Sequence, residues 1–594
     1  MKFYNYIIIL VLTVSGCTDF LVENPKSYTV GDFKNERDAT LSINGIYTLL
    51  RDDDVVGSTI KPVPTDLYKR ATWSYNEGLG DYSYGADNNF FLLIWQKHYN
   101  IINACNNAIV RIEANKDSIP NSDRYIAQAK GVRAFLYFDL VRWFRDVPLV
   151  LTPTFEYNKA NAEVTRAPQA DVFNQIISDF TFCTTNSVSK GTVNSGYQYG
   201  SMTREAAHGF LAKVYLWMAS VGERDNSTAL GNPADNYQLA LTHAKAVIDS
   251  KKFSLASFYP DLFTISTEST AQQEVLFCVQ ALRGDRTSSS TGMNFGIVGS
   301  TNAGGSYGTN ISTNYHRMIY EPSDSIRRLW NCPRATINAL GILSSFDYDY
   351  YLTTDTFHVL TRKTEKTNGL TYSIGKFRRY PIADPATYGI QDGMDEPLLR
   401  YADVLLIYAE AYNEVNKSPG AYAASMGKDF TGNLSMSAYD AVNIVRKRAR
   451  TFNNGLVHQN AVPRAINLSK TDLVNSCVPD WKPGFYGTIY DGTTSVYENR
   501  LYSSDYQAFR EEILWERGRE LVAESNDRWC DLVRRNKLVT QIRALRFTIN
   551  PFITKNENLS ALDAPENIKP YMMVFPIPQG EIDVNRKLTQ NPNY

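Results

Sequence analysis

Cysteine is scarce, with 7 in 594 residues, and no two form a CxxC pair. A structural zinc site built from such pairs is therefore not expected. The 6 histidines are dispersed and fall in no metal-ligand spacing. The chain has no HExxH, no Walker A loop and no G-x-G-x-x-G, so the common metalloprotease, nucleotide and dinucleotide signatures are missing. Gly304-Gly305-Ser306-Tyr307-Gly308 matches the G-x-S-x-G nucleophile pattern. That pattern needs an apolar strand ahead of it and a helix behind it, and here it sits in a polar Gly/Ser/Asn stretch. Charge of one sign is also missing: the net charge is −1. Without a bulk positive field, nucleic acid is not an expected partner. Asp52-Asp53-Asp54 and Asp347-Tyr348-Asp349 are acidic turns, but neither continues as an EF-hand loop. No cofactor is expected, and a structural calcium ion has no motif behind it.

Long hydrophobic runs are limited to the first segment, MKFYNYIIILVLTVSGC, whose apolar stretch runs from Tyr6 to Val14. Spanning a bilayer takes about 20 residues, so this reads as a secretory signal. It ends in Val14-Ser15-Gly16-Cys17, which resembles a bacterial lipobox with Cys17 as the lipidated residue. Residues 1–17 are then a lipoprotein signal, and residues 18–30 a tether that carries a proline. Lipid would hold the protein to a membrane, at about 0.8 kcal/mol per buried CH₂. The six remaining cysteines give no disulfide framework.

What the chain has in abundance is aromatic side chains: 38 Tyr, 28 Phe and 8 Trp. Many lie in helical patterns. Leu92, Trp95, Tyr99, Ile102 and Ala108 open one amphipathic helix. Residues 123–145 are apolar on nearly every side, which predicts a helix buried between others. Residues 203–219, 236–250 (with Asn236 as a candidate N-cap), 398–416, 437–450 and 507–536 predict further helices. Small and aromatic residues recur together as Ala134/Tyr137, Ala207/Tyr215 and Ala409/Tyr412. This suggests tetratricopeptide-like stacking, although the 34-residue period is not strict. Glu512, Glu516, Glu520 and Glu524 repeat at i+4, and like charges on one face need cations to pair with them. With Arg517, Arg519 and Arg528 within reach on the same helix or the next, they predict a charge network that joins helices, with comparable roles for Arg142, Asp146 and Arg166. Other aromatics lie in long polar loops at 63–91, 283–315 and 478–506. Such loops are functional or disordered, and disordered chains are poor in aromatics.

Several ordered blocks resemble the SusD/RagB family of outer-membrane nutrient-binding lipoproteins of Gram-negative bacteria. Asp19-Phe20-Leu21 follows Cys17. Arg133-Ala134 and Tyr137-Phe138 lead into Asp146-Val147-Pro148-Leu149, with Arg145 where the family pattern has glycine. Thr203-Arg204-Glu205-Ala206-Ala207 and Arg400-Tyr401-Ala402-Asp403-Val404-Leu405-Leu406 follow. Glu516-Arg517, Glu520-Leu521, Glu524 and Arg528-Trp529-Cys530-Asp531-Leu532 resemble the family's Glu/Arg-rich helix. Pro576-Ile577-Pro578 and Gln590-Asn591-Pro592-Asn593-Tyr594 resemble its C-terminus, with Asn593 for glycine. The resemblance implies a mainly α fold, a scaffold of tetratricopeptide-like helical pairs with an irregular, loop-rich ligand-binding side. It implies one body over 31–594, with an N-terminal part of about 31–280 and a C-terminal part of about 281–594.

The resemblance further implies a cell-surface, lipid-anchored protein of the outer membrane. Such a protein captures oligosaccharides and delivers them, uncleaved, to a SusC-like TonB-dependent transporter. A sugar offers apolar C–H faces to aromatic rings, and hydroxyls to Asn, Asp and Arg. Asp66, Arg70, Trp73, Tyr75, Tyr82, Tyr84, Asn88 and Asn89 supply both kinds in one loop, and Tyr307 and Tyr315 lie in another. These ten are the candidate ligand contacts. Capture of peptides on the same scaffold, as in RagB-like proteins, is one alternative. A secreted glycoside hydrolase is another, and it requires two carboxyls about 5–10 Å apart in a cleft.

Overall fold

The computed structural model describes residues 33–52, 55–56, 64–70, 78–154, 163–191, 197–264, 267–281, 295–296, 306–307, 310–313, 315–316, 319–320, 324–333, 335–337, 343–345, 374–377, 394–422, 436–449, 480–483, 503–525, 527–548 and 564–594. Cys17, the tether, Asp53, Asp54, Asp347, Asp349 and Cys477 lie outside them. The architecture is mainly α. Its long helices are α1 (Glu36–Leu49), α2 (Asn89–Ala114), α3 (Ser122–Phe144), α4 (Gln169–Asn186), α5 (Arg204–Asp225), α6 (Pro233–Ser250), α7 (Tyr401–Asn416), α8 (Ala438–Ala449), α9 (Asp505–Leu521), α10 (Asp527–Arg534) and α11 (Leu538–Thr548). Each of α2 to α8 packs on its predecessor in the chain, and α9 packs on α7. This is the stacked array that the sequence pattern predicts. No helix among the described residues is long and apolar enough to cross a membrane.

Helix α3 is buried on every side from Tyr125 to Phe144 apart from Lys130. Its one buried guanidinium within the first half, Arg133, makes a two-pronged contact with Asp179 of α4 (2.8 Å each) and reaches Asn106 of α2 (2.8 Å). One side chain thus fixes three helices, and charge-assisted paired bonds of this kind are strong and directional. A Cβ on Gly209 of α5 would lie 2.7 Å from the Leu399 Cδ2, so a larger residue there would force that side chain to shift.

Three predicted helix boundaries are corrected. The cap of α6 is Asn232, which accepts from the Ala234 amide (2.9 Å), with Pro233 in the first turn, where its missing N–H costs nothing. Asn236 is buried inside the helix and donates to the Leu230 carbonyl. Residues 398–400 are not helical. Glu396–Arg400 forms strand β4, antiparallel to β2 (Val275–Val279), and both strands are buried throughout. Pairing with β2 holds this stretch extended, and the Tyr401 amide still donates to the Glu274 carbonyl (2.8 Å) where the helix begins. The 507–536 helix is likewise two helices, broken where Ala523 and Ser525 take left-handed φ angles of 60° and 45°.

The predicted glutamate network is present for Glu516, Glu520 and Glu524, and it is buried. Glu516 pairs with Arg327 (2.8 Å), Arg446 (2.9 Å) and Arg519 (2.9 Å). Glu520 meets Arg327 (3.2 Å), Arg400 (3.2 Å) and Arg448, and Glu524 meets Arg400 (2.6 Å) and Lys376. Glu274 and Asp324 complete it, through Arg400 and Arg448 (2.9 Å) and through Arg327 (2.5 Å) respectively. Burial opposes every charge here, but the surrounding cations hold the Glu516, Glu520 and Glu524 carboxyls below their usual range. The Lys376 ammonium is pushed down to about 8, by burial first, with Arg400 adding to the effect.

Arg145 caps α3 at φ 62° and ψ −110°, a conformation suited to glycine. The turn persists because Arg166 donates to the Asp146 carbonyl (2.7 Å) and the Phe144 carbonyl (3.3 Å), and Asn591 donates to the latter as well (3.1 Å). Residues held in such regions cost about 1–3 kcal/mol, against about 0.4–1 kcal/mol for glycine's extra freedom when unfolded. Arg145 gains little in return, since its nearest carboxylate, on Asp225, is 3.9 Å away and partly exposed. Arg145→Gly is therefore expected to stabilise the protein by about 1 kcal/mol in chemical denaturation. Unchanged or lower stability would contradict this. Asn593 also stands in a glycine position, at φ 73°, which asparagine tolerates.

Candidate ligand-binding face

A second hydrophobic cluster lies beside the helical array. It includes Tyr68, Tyr259, Phe263, Phe295, Trp330 and Trp515. On it rests a short antiparallel ladder, β1 (Tyr68–Arg70) with β3 (Asn310–Ser312), in the register Tyr68↔Ser312, Lys69↔Ile311 and Arg70↔Asn310. The Thr313 amide donates to the Leu67 carbonyl (3.0 Å) and the Thr313 hydroxyl to the Asp66 carbonyl (2.5 Å). The ladder therefore brings the two loops that hold the sequence candidates to one place. The chain leaves β1 after Arg70 at the same end at which it enters β3 through Asn310. Tyr307, three residues before Asn310, is 45% exposed. Tyr315 is half-buried, with its ring edge-on to Trp515 at 5.6 Å.

The other candidates separate. Asp66 is fully buried, and its carboxylate takes both prongs of Arg528 (2.8 and 2.5 Å). It is an ion-pair partner, with no face left for a ligand. Tyr82 is also interior: its hydroxyl donates to the Pro64 carbonyl (2.5 Å) and its φ is 59°. Tyr84 is buried against Phe91 (5.1 Å) and Tyr594 (6.4 Å). Asp66, Tyr82 and Tyr84 are thus corrected from ligand contacts to parts of the core, because burial there satisfies each ring and charge within the fold. Asn88 caps α2 by accepting from the Phe90 amide (3.0 Å), a structural duty. Asn89 is the first residue of α2 and is exposed. Arg70 ends β1, while Trp73 and Tyr75 lie outside the described residues.

Sequence reasoning missed a buried polar chain next to the ladder. The Tyr320 hydroxyl donates to the Arg519 carbonyl (3.1 Å) and accepts from Asn331 (2.9 Å). It lies 3.3 Å from His316 Nε2, so that nitrogen carries the proton and Nδ1 accepts from the Ser312 hydroxyl. Cys332 in turn donates to Ser312. Burial pushes His316 down to about 3, so it stays neutral. A Ser–His contact can signal an activated nucleophile. Here Ser312 is 5% and His316 0% exposed, which leaves no room for a substrate. The chain fastens β3 to α9. The i, i+4 spacing of Ser312 and His316 was its only sequence signal. A cleft between Tyr199, Thr264, Met394 and Asp395 has a volume of about 10 Å³, room for a water molecule and not for a sugar ring. Among the described residues no three His, Cys, Asp or Glu side chains gather to hold a metal ion.

Comparison with known proteins agrees with this architecture. Residues 22–216 match the family model described as starch-binding associating with outer membrane, and residues 345–594 match the SusD family model. SusD-like protein P2 of Formosa agariphila is 24% identical over 476 residues, which cover 77% of this chain and 83% of that protein. A SusD homolog from Bacteroides thetaiotaomicron superposes with a TM-score of 0.71 at 19% identity, over 95% of this chain and 98% of that one. A laminarin-binding SusD-like protein superposes with a TM-score of 0.58 at 16% identity, over 95% and 100% of the two chains. With one model matched near each end and the SusD fold followed along nearly its full length, the chain belongs to the SusD/RagB family.

Proposed function

We propose that this protein is a surface glycan-binding lipoprotein, anchored in the outer membrane through Cys17. It captures oligosaccharides and hands them, uncleaved, to a SusC-like TonB-dependent transporter. The starch-binding description of the matched N-terminal model and the laminarin-binding neighbour support a glycan ligand. The single structural observation behind the reading is the β1–β3 ladder, which joins the two aromatic loops at one end with Tyr307 in solvent. An exposed ring on a rigid base suits the C–H face of a sugar.

The test is calorimetry on protein lacking residues 1–17, titrated with maltoheptaose and laminarihexaose. Tyr307→Ala is expected to weaken binding by about 1 kcal/mol, roughly fivefold, without lowering the unfolding temperature. Binding of oligopeptides in place of both sugars would favour peptide capture, and release of reducing ends would favour a hydrolase. Unaltered affinity in the variant would remove Tyr307 from the site.

A further inference from the structure

Sequence spacing places no two histidines together, but the fold does. His208 of α5 and His243 of α6, 35 positions apart, meet where the two helices pack, with Nδ1 to Nδ1 at 2.9 Å. Their ring centroids are 5.2 Å apart, so the two nitrogens lie between the rings and face each other. A single proton between them makes this a hydrogen bond, in which the accepting nitrogen keeps its lone pair. Both residues are half-buried and so within reach of solvent, whereas His98 and His316 are wholly enclosed. Tyr215 lies parallel to His243 at 5.6 Å and covers its face, which leaves the nitrogen edge to His208.

Two imidazoles at an open seam suit a borderline divalent ion. Metal–nitrogen bonds are about 2.0–2.1 Å long. Two of them at a right angle hold their nitrogens about 2.9 Å apart, and two at the tetrahedral angle about 3.4 Å apart. The observed separation matches the right angle of a tetragonal ion. Copper(II) takes that geometry and heads the affinity order of the first-row divalent ions. Beside His208, Glu205 favours a positive charge and Arg204 opposes it, so neither sign dominates there.

We propose that His208 and His243 form a copper(II) site that pins α5 to α6, with water in the remaining positions. The ion takes the place of the shared proton as each ring turns to aim its Nδ1 at it. The displaced proton moves to Nε2 of the same ring, so both imidazoles stay neutral and no proton is released. The site lies apart from the β1–β3 ladder and does not depend on the glycan reading.

Protein lacking residues 1–17, and carrying no histidine tag, is titrated with copper(II), nickel(II) and zinc(II) by calorimetry. The copper-loaded form is then read by electron paramagnetic resonance. The expected result is one copper per chain, bound at least tenfold tighter than zinc, with a tetragonal spectrum that shows coupling to two imidazole nitrogens. Copper is also expected to raise the unfolding temperature of the wild type. His208→Gln and His243→Gln are each expected to weaken copper binding at least tenfold, while His358→Gln combined with His458→Gln leaves it within twofold. A wild type that binds no copper, or a spectrum with one nitrogen or none, overturns the site. So does a His243→Gln variant that binds as tightly as wild type, which would leave the pair as a hydrogen bond between helices. The first two readouts need only the wild type, so they decide the matter even where a variant fails to fold.

Discussion

Replacing Arg400 by methionine is expected to lower the unfolding free energy by about 3–5 kcal/mol, the usual cost of removing one partner from a buried ion pair. The guanidinium touches Glu274, Glu520 and Glu524, and the side chains of all four are at most 5% exposed. Methionine fills much of the same volume, so packing is largely kept while three carboxylates lose a shared cation. They cannot regain water, and the cations left to them, Lys376, Arg448 and Arg327, are already shared among the network's carboxylates. Arg400→Lys keeps the charge but not the fork, and is expected to fall between wild type and methionine. Denaturant titration gives the answer. A loss below about 1 kcal/mol for methionine would mean that the network contributes no more than a solvated surface pair.

Asp66→Ala is expected to have a comparable effect, again about 3–5 kcal/mol, because it strands Arg528 in the interior. Arg528 is held on three sides: by the Asp66 carboxylate, by the Leu514 carbonyl (2.7 Å) and by the face of Trp515 (4.8 Å). Without the carboxylate its positive charge has no counterion in that contact set. Affinity for an oligosaccharide, measured on the protein that remains folded, is expected to stay within about twofold of wild type. A ligand-contacting aspartate would give the opposite pattern, with weaker binding and intact stability.

These two residues also mark what local sequence can and cannot reveal. Periodicity revealed α2, α3 and α5, because a helix that buries one face or all faces writes its apolar spacing into the chain. The i+4 glutamates likewise revealed that cations must pair with them. Of the cations within reach in sequence, Arg519 pairs with Glu516, but Arg517 pairs with Asp403 and Asp531 and Arg528 with Asp66. Arg327, Lys376, Arg400, Arg446 and Arg448 were not legible, since they come from other parts of the chain and meet α9 only in three dimensions. Asp66 and Arg528 are 462 positions apart. In the loop of 66–89, aromatic density predicts display to solvent, and the buried Tyr82 and Tyr84 show instead that this loop uses rings to anchor itself. Composition does not distinguish these two uses, because burial depends on what packs above. Arg145 was flagged by its departure from a glycine pattern, and its strained φ confirms the conflict, while the contacts from Arg166 and Asn591 that hold it were not legible.

The most direct measurement is a crystal structure of residues 18–594 soaked with the oligosaccharide that calorimetry selects. The account predicts a sugar ring laid against Tyr307 at the end of the β1–β3 ladder. Sugar bound instead on the outer faces of the stacked helices, with Tyr307 untouched, would contradict it.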